Sequence, residues 1–422
     1  MARCDALGVA PYSDAPDMLF RAYLTTAHAA ALERLGAWMH EAGMNVRLDP
    51  AANLIGRYDG ENPDAPALII GSHIDSVRDA GRYDGPLGIM LGVEVVAALH
   101  AAGKRMPFPI EVIAFGDEEG SRFPASMLCS RALAGTLAAE ALDVADREGT
   151  KLSDALSAFT VRVDRSRDAV GEGRPSLALG TSAFLHALHP PALAFFEPHI
   201  EQGPVLEAEK RALGLVWGIA AQLRLEVTIS GRAGHAGTTA MRLRRDALTG
   251  AAEAVLAVER IANEMGGDLV ATVGRMQVGP GAVNVVPGNV AFSIDIRSSD
   301  EGLRDEAAAR ILTAIGEIAG ARGLLHSCHQ VQDLAASPCD SQLTQLLEAA
   351  LIDTGHSPRM LVSGAGHDTM VMAALCPTAM LFIRCKDGIS HNPAESVMAE
   401  DCEAALQTML VFIEKLGERE RG

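Results

Sequence analysis

The run Ala67-Leu68-Ile69-Ile70 closes on Gly71-Ser72-His73-Ile74-Asp75, and no other stretch constrains the fold as much. Consecutive apolar residues of this kind fit a strand buried on both faces, the strand type of a parallel sheet covered by helices. A strand ending in His-x-Asp delivers an imidazole and a carboxylate to the sheet's carboxyl edge, where open α/β sheets bind ligands. Nine residues beyond Asp75 comes Asp84, inside the glycine-rich Gly81-Arg82-Tyr83-Asp84-Gly85-Pro86-Leu87-Gly88. His73 is a candidate metal ligand, Asp75 the carboxylate that orients its ring, and Asp84 a second ligand. Taken alone, the stretch reads equally well as an ordinary loop with two solvated acids.

The arrangement recurs. Pro109–Phe115 opens onto Gly116-Asp117-Glu118-Glu119-Gly120, and Leu193–Phe196 onto Glu197-Pro198-His199-Ile200-Glu201-Gln202-Gly203-Pro204. A last cluster is Gly388-Ile389-Ser390-His391-Asn392-Pro393-Ala394-Glu395. Together these supply three imidazoles (His73, His199, His391) and two carboxylates (Asp84, Glu119). Glu118 and Glu119 are adjacent, and neighbouring side chains at a strand exit diverge, so one carboxylate can bind metal while the other faces the open side as a base. Two divalent ions about 3.5 Å apart and bridged by one carboxylate suit hydrolysis of an unreactive C–N bond. A histidine and carboxylate set accepts Zn²⁺ or Mn²⁺, with Co²⁺ and Ni²⁺ also compatible. The scattered histidines at 28, 40, 100, 186, 189, 326, 329 and 356 read as ordinary hydrogen-bonded residues.

Between the clusters, strands alternate with helical stretches, which predicts a mostly parallel wound sheet with flanking helices. A helix is expected over 17–43, another over 88–99, and short helices and loops over the polar stretch 140–182. From about 213 the texture changes to strand, long helix, two strands, helix, strand, an order that predicts an inserted ferredoxin-like module. The expected division is therefore a catalytic domain in two parts, 1–212 and 333–422, around an inserted domain at 213–332. A closing helix is expected over 400–416.

Net charge is −18 and only 4% of residues are aromatic, with no Lys/Arg-rich block. Neither nucleic acid nor an anionic membrane is an expected partner. Seven cysteines without a Cys-x-x-Cys pair read as free thiols, and no apolar leader or membrane-length run is present. The expectation is a cytoplasmic protein.

The chain resembles the hydantoinase/carbamoylase branch of the M20-type metallohydrolases, which comprises N-carbamoyl-L-amino acid hydrolases, β-ureidopropionases and allantoate amidohydrolases. The matching stretches run in order from residue 71 to 395: Gly71–Asp75, Gly81–Gly88, Asp117–Phe123, Glu197–Glu207, Gly231–Leu248, Asn284–Pro287, Asp295–Arg297, Gly364–Asp368 and Ser390–Glu395. The resemblance implies two divalent ions per subunit, one on His73 and His199, the other on Glu119 and His391, with Asp84 bridging. It implies that Glu118 is the general base and that Asp75 orients His73. It implies further that the inserted module is a lid and a homodimerisation domain. There His235 stabilises the oxyanion in the partner subunit's site, and Asn284 and Arg297 hold the substrate's carboxylate. Gln202 and His367 match substrate-contacting positions. The family's usual proline after His-Ala-Gly-Thr-x is Ala240 here, which is expected to loosen that loop. The implied reaction is hydrolysis of a ureido acid, allantoate or an N-carbamoyl-L-amino acid, with a dipeptidase-like peptidase using the same ions as the alternative.

Overall fold

The computed structural model describes residues 1–161 and 181–422. The chain divides into two compact units, one of residues 1–217, 339–361 and 366–422, the other of residues 218–338 with 362–365.

The first unit is built on a mixed sheet. Its centre runs Ile110–Phe115, Leu68–His73, Ala194–Ile200, Thr378–Ile383, all mutually parallel. The margins are antiparallel: Leu54–Tyr58 flanks Ile110–Phe115, and Leu213–Ile219 flanks Thr378–Ile383. All six residues of Leu68–His73, Ile110–Phe115 and Thr378–Ile383 are buried, as a sheet covered on both faces requires. The helix Pro86–Ala101 buries every residue from Pro86 to Val93, and its one acid, Glu94, pairs with Arg3 at 2.8 Å. The closing helix is Ala399–Arg421. The parallel centre lines up the carboxyl ends of four strands, and each is followed by one of the charged clusters.

One expected helix is shorter than its periodicity suggested. It starts at Thr26 and ends at Glu41, with Thr25 capping it by accepting the amide of His28 at 3.2 Å. The preceding residues are held otherwise: the Asp14 carboxylate accepts the amide of Ala22 and the hydroxyl of Thr25, both at 2.9 Å, and Ser76 accepts the amide of Arg21. Those bonds take the backbone donors that a longer helix would need. In the polar stretch 140–182, a 3₁₀ turn covers Ala139–Leu142 and a helix Leu152–Ala158; much of the remainder lies outside the described residues.

In the second unit the sheet is antiparallel, in the order Met276–Gly279, Asn289–Ser298, Ala221–Ser230, Leu325–Leu334. Val270–Thr272 also pairs with Asn289–Ser298, so one edge is made of two short pieces. Leu223, Leu225, Val227 and Ile229 alternate inward and pack under the helices Ala247–Met265 and Glu301–Ala321. Each helix is capped by an aspartate, Asp246 and Asp300, whose carboxylate accepts two first-turn amides. Among the described residues no helix is long and apolar enough to cross a membrane.

Candidate metal centre

His73 and His199 come from adjacent parallel strands, and their rings stack with centroids 5.7 Å apart. Both are almost fully buried. His73 Nδ1 lies 3.1 Å from the carbonyl of Asp75, and His199 Nδ1 lies 2.9 Å from the carbonyl of Ile200. A carbonyl only accepts, so each Nδ1 carries a proton, and Nε2 is the atom that each ring turns inward, the one open to a metal. The two Nε2 atoms are 3.5 Å apart.

Asp84 sits between this pair and the remaining candidates. Its Oδ1 is 3.2 Å from His199 Nε2 and 3.5 Å from His73 Nε2, while its Oδ2 is 3.4 Å from His391 Nε2. His391 Nε2 is in turn 3.5 Å from Glu119 Oε1. Two donor sets result, His73/Asp84/His199 and Asp84/Glu119/His391, each with ligand atoms within 4.8 Å of one another. Asp84 Oδ1 is buried without a hydrogen bond of its own. Potential ligand atoms clustered around such an oxygen fit a cation. Burial alone would raise Asp84, but the imidazoles of His199, His391 and His73 outweigh it and hold the carboxyl well below its usual range.

The loop carrying Asp84 is fixed from both ends. Gly85 has φ +83°, and a Cβ there would stand 2.4 Å from the carbonyl oxygen of His73, so the turn requires glycine. Glu395, buried, accepts the amides of Tyr83 at 2.7 Å and Asp84 at 3.0 Å through one oxygen. Burial pushes the Glu395 carboxyl up to about 7. Ser390 and Gln202 donate to Asp84 Oδ2, Gln202 at 2.8 Å. Gln202 (φ 55°) and His391 (φ 54°) both adopt the left-handed conformation, which a non-glycine residue holds only where its surroundings impose it.

Asp75 acts on the acid pair as well as on His73. Its carboxylate accepts the amide of Glu118 at 3.1 Å and that of Glu119 at 3.2 Å, and stands 3.6 Å from His73 Nδ1. Burial pushes Glu118 well above the ordinary carboxylate range and Glu119 up to about 7. His73, Glu118 and Glu119 form a further close group. His367 lies edge-on to His199 with ring centroids 4.5 Å apart, and burial holds it well below the usual imidazole range. Glu197, also buried, accepts the hydroxyl of Ser72 and both the amide and hydroxyl of Thr369.

The remaining expected residues are on the second unit. His235 and Asn284 are exposed: His235 lies on a two-stranded ribbon opposite Val285, and Asn284, in the turn just before Val285–Val286, accepts the amide of Ala236 at 2.9 Å through its carbonyl. His235 Nδ1 accepts the amide of Gly237 at 3.0 Å, which leaves the neutral ring's proton on Nε2. The loop with Ala240 is tied down without proline: Arg244 donates to the carbonyls of Thr239 at 3.0 Å and Ala236 at 2.6 Å. Arg297 projects from Asn289–Ser298 and is bound to Asp295. Glu197, Ser390 and Glu395 belong to the charged clusters but carried no separate expectation. What they do depends on partners more than a hundred residues away, which no local pattern reveals.

The profile of peptidase family M20/M25/M40 matches residues 69–415. An N-carbamoyl-L-amino acid amidohydrolase of Geobacillus stearothermophilus is 39% identical over 400 residues, covering 95% of this chain and 94% of the relative. An allantoate deiminase of Arabidopsis thaliana is 38% identical over 442 residues, with 98% and 81% covered. Among solved structures, an amidase of the hydantoinase/carbamoylase family from Burkholderia multivorans superposes with a TM-score of 0.86 at 34% identity, covering 98% of this chain and 95% of that one.

Proposed function

This chain belongs to peptidase family M20/M25/M40, and we propose that it is a two-metal amidohydrolase of ureido acids. The substrate class is R-NH-CO-NH2 with a nearby carboxylate, an N-carbamoyl-L-amino acid or allantoate, cleaved with water to an amine, CO2 and ammonia. The observation that carries this reading is the placement of Asp84, whose two oxygens face two separate histidine-containing sets, with Glu118 beside them. Relatives named for ureido acids, similar over nearly the whole chain, support the substrate class.

In this reading His73, Asp84 and His199 hold one divalent ion and Asp84, Glu119 and His391 the other, zinc or manganese. Bound there, the ions supply carbonyl polarisation and a water that ionises near neutral pH. Glu118 takes the proton of the attacking water and returns it to the leaving nitrogen. Asp75 keeps Glu118 in place through its amide. His235, with its proton on Nε2, donates to the developing oxyanion. Arg297 and Asn284 bind the substrate's carboxylate, and Gln202 and His367 contact the substrate. The second unit works as a lid and as the pairing surface of a homodimer, each His235 serving the partner's site. The seven free thiols suit a reducing cytoplasm.

The test is ammonia release from allantoate, N-carbamoyl-β-alanine, N-carbamoyl-L-amino acids and dipeptides, by protein reloaded with Zn²⁺ or Mn²⁺ after chelation. At least one ureido acid should be turned over. Glu118→Gln should lower its kcat about 10²–10⁴-fold with metal content unchanged. Hydrolysis confined to the dipeptides would refute the assignment.

A further inference from the structure

Arg297 does not wait with an open fork. Its Nε donates to Asp295 Oδ1 at 2.7 Å and its Nη2 to Asp295 Oδ2 at 3.0 Å, while Nη1 donates to the carbonyl of Gly364. A guanidinium has five N–H donors. Three are used inside the chain, so two remain, one on each terminal nitrogen.

Asp295 is itself saturated. Besides Arg297, its Oδ2 accepts Gln222 Nε2 at 3.0 Å and Arg224 Nε at 2.8 Å. Strand register explains this cluster. Asp295 lies directly opposite Arg224, and Arg297 directly opposite Gln222, on the antiparallel pair Asn289–Ser298 and Ala221–Ser230. Residues two apart on a strand share a face, so all four side chains converge on one side of the sheet. That side borders a cavity of about 550 Å³ whose lining includes Arg224, Asp295, Arg297 and Gly364. Two guanidiniums against one carboxylate leave the cluster one positive charge, enough to attract a further carboxylate.

We propose that Asp295 is the positioning residue for Arg297: it grips the guanidinium's inner edge, so that a substrate carboxylate meets only the terminal N–H groups. This rests on the reading that Arg297 binds that carboxylate. A lone arginine keeps several rotamers, whereas one edge locked by a fixed carboxylate fixes the plane and direction of the other donors. Gln222 and Arg224 serve the same end by holding Asp295 itself.

The test compares allantoate or N-carbamoyl-L-alanine, whichever the enzyme turns over, with its carboxamide, using the full-length metal-loaded protein. Asp295→Asn keeps the shape but loses the charge-assisted clamp. The loss of a hydrogen bond between charged groups corresponds to roughly a ten- to hundredfold effect. KM for the carboxylate should rise by about that factor, with a smaller change in kcat. The preference for carboxylate over carboxamide should fall by the same factor, and Asp295→Glu should recover part of it. A merely structural role would depress both substrates alike and leave the preference unchanged, which would overturn the proposal. So would a lower KM in Asp295→Asn, because Asp295 would then be competing with the substrate. Arg297→Ala separates the two layers. If it abolishes the preference while Asp295→Asn does not, the positioning role fails and the carboxylate role stands. If Arg297→Ala leaves the preference intact, both fail. Unfolding midpoints of all variants show whether a loss is only one of folding; should Asp295→Asn not fold, Asp295→Glu decides by the same ratio.

Discussion

Glu395 is not itself a candidate ligand, yet it fixes the residue between the two donor sets. One of its oxygens accepts the amides of both Tyr83 and Asp84, and the loop packs so tightly that a Cβ on Gly81 would stand 2.1 Å from its carboxyl carbon. Removing that anchor frees the backbone that aims Asp84. Glu395→Ala is therefore expected to weaken metal affinity about 10–100-fold, the usual effect of losing a supporting partner of a ligand. Chelator competition measures it, and unchanged affinity would show the anchor to be dispensable. At this scale the sequence singled out the candidate donors and one support, Asp75 beside His73, but not the other supports. His73, Asp84, Glu119, His199 and His391 stood out because each follows a strand exit with the right chemistry. That the Asp75 carboxylate would take the amides of Glu118 and Glu119, or that Ser390 would donate to Asp84, depends on chain segments brought together only by folding.

Elements were legible where burial imposed a period and less so where single hydrogen bonds set the ends. The runs before His73 and Glu118 became buried parallel strands, as four to six apolar residues in a covered sheet must. The first long helix began nine residues later than its pattern because Asp14 and Ser76 capture the preceding backbone. The loop after His235 shows the same limit. Without the family's proline it was expected to be loose, but Arg244 holds two of its carbonyls. Ala240 has φ −59°, close to the angle a proline ring imposes. Ala240→Pro should thus add about 0.4–1 kcal/mol by narrowing the unfolded ensemble. Denaturant unfolding of the chelated protein would register the shift, and a destabilised variant would mean that the loop needs the freedom or the amide of Ala240.

At the scale of the whole molecule, the first unit is assembled from both ends of the chain. Thr378–Ile383 returns after the second unit to lie beside Ala194–Ile200, and the segment that follows it brings in His391 and Glu395. Five candidate ligands spread from residue 73 to 391 thus meet at one sheet edge, which no single stretch of sequence could have supplied. The alternation of strands and helices was enough to anticipate a parallel centre; its antiparallel margins depend on pairings between distant segments. The proposed function requires Asp84 to be shared by two ions. The most direct measurement is the number of divalent ions bound per chain, by titration of chelated protein with Zn²⁺ or Mn²⁺ and elemental analysis. The wild type should bind two equivalents, and Asp84→Ala should fail to retain both. A wild type that saturates at one ion or none, or an Asp84→Ala protein that still holds two, would contradict it.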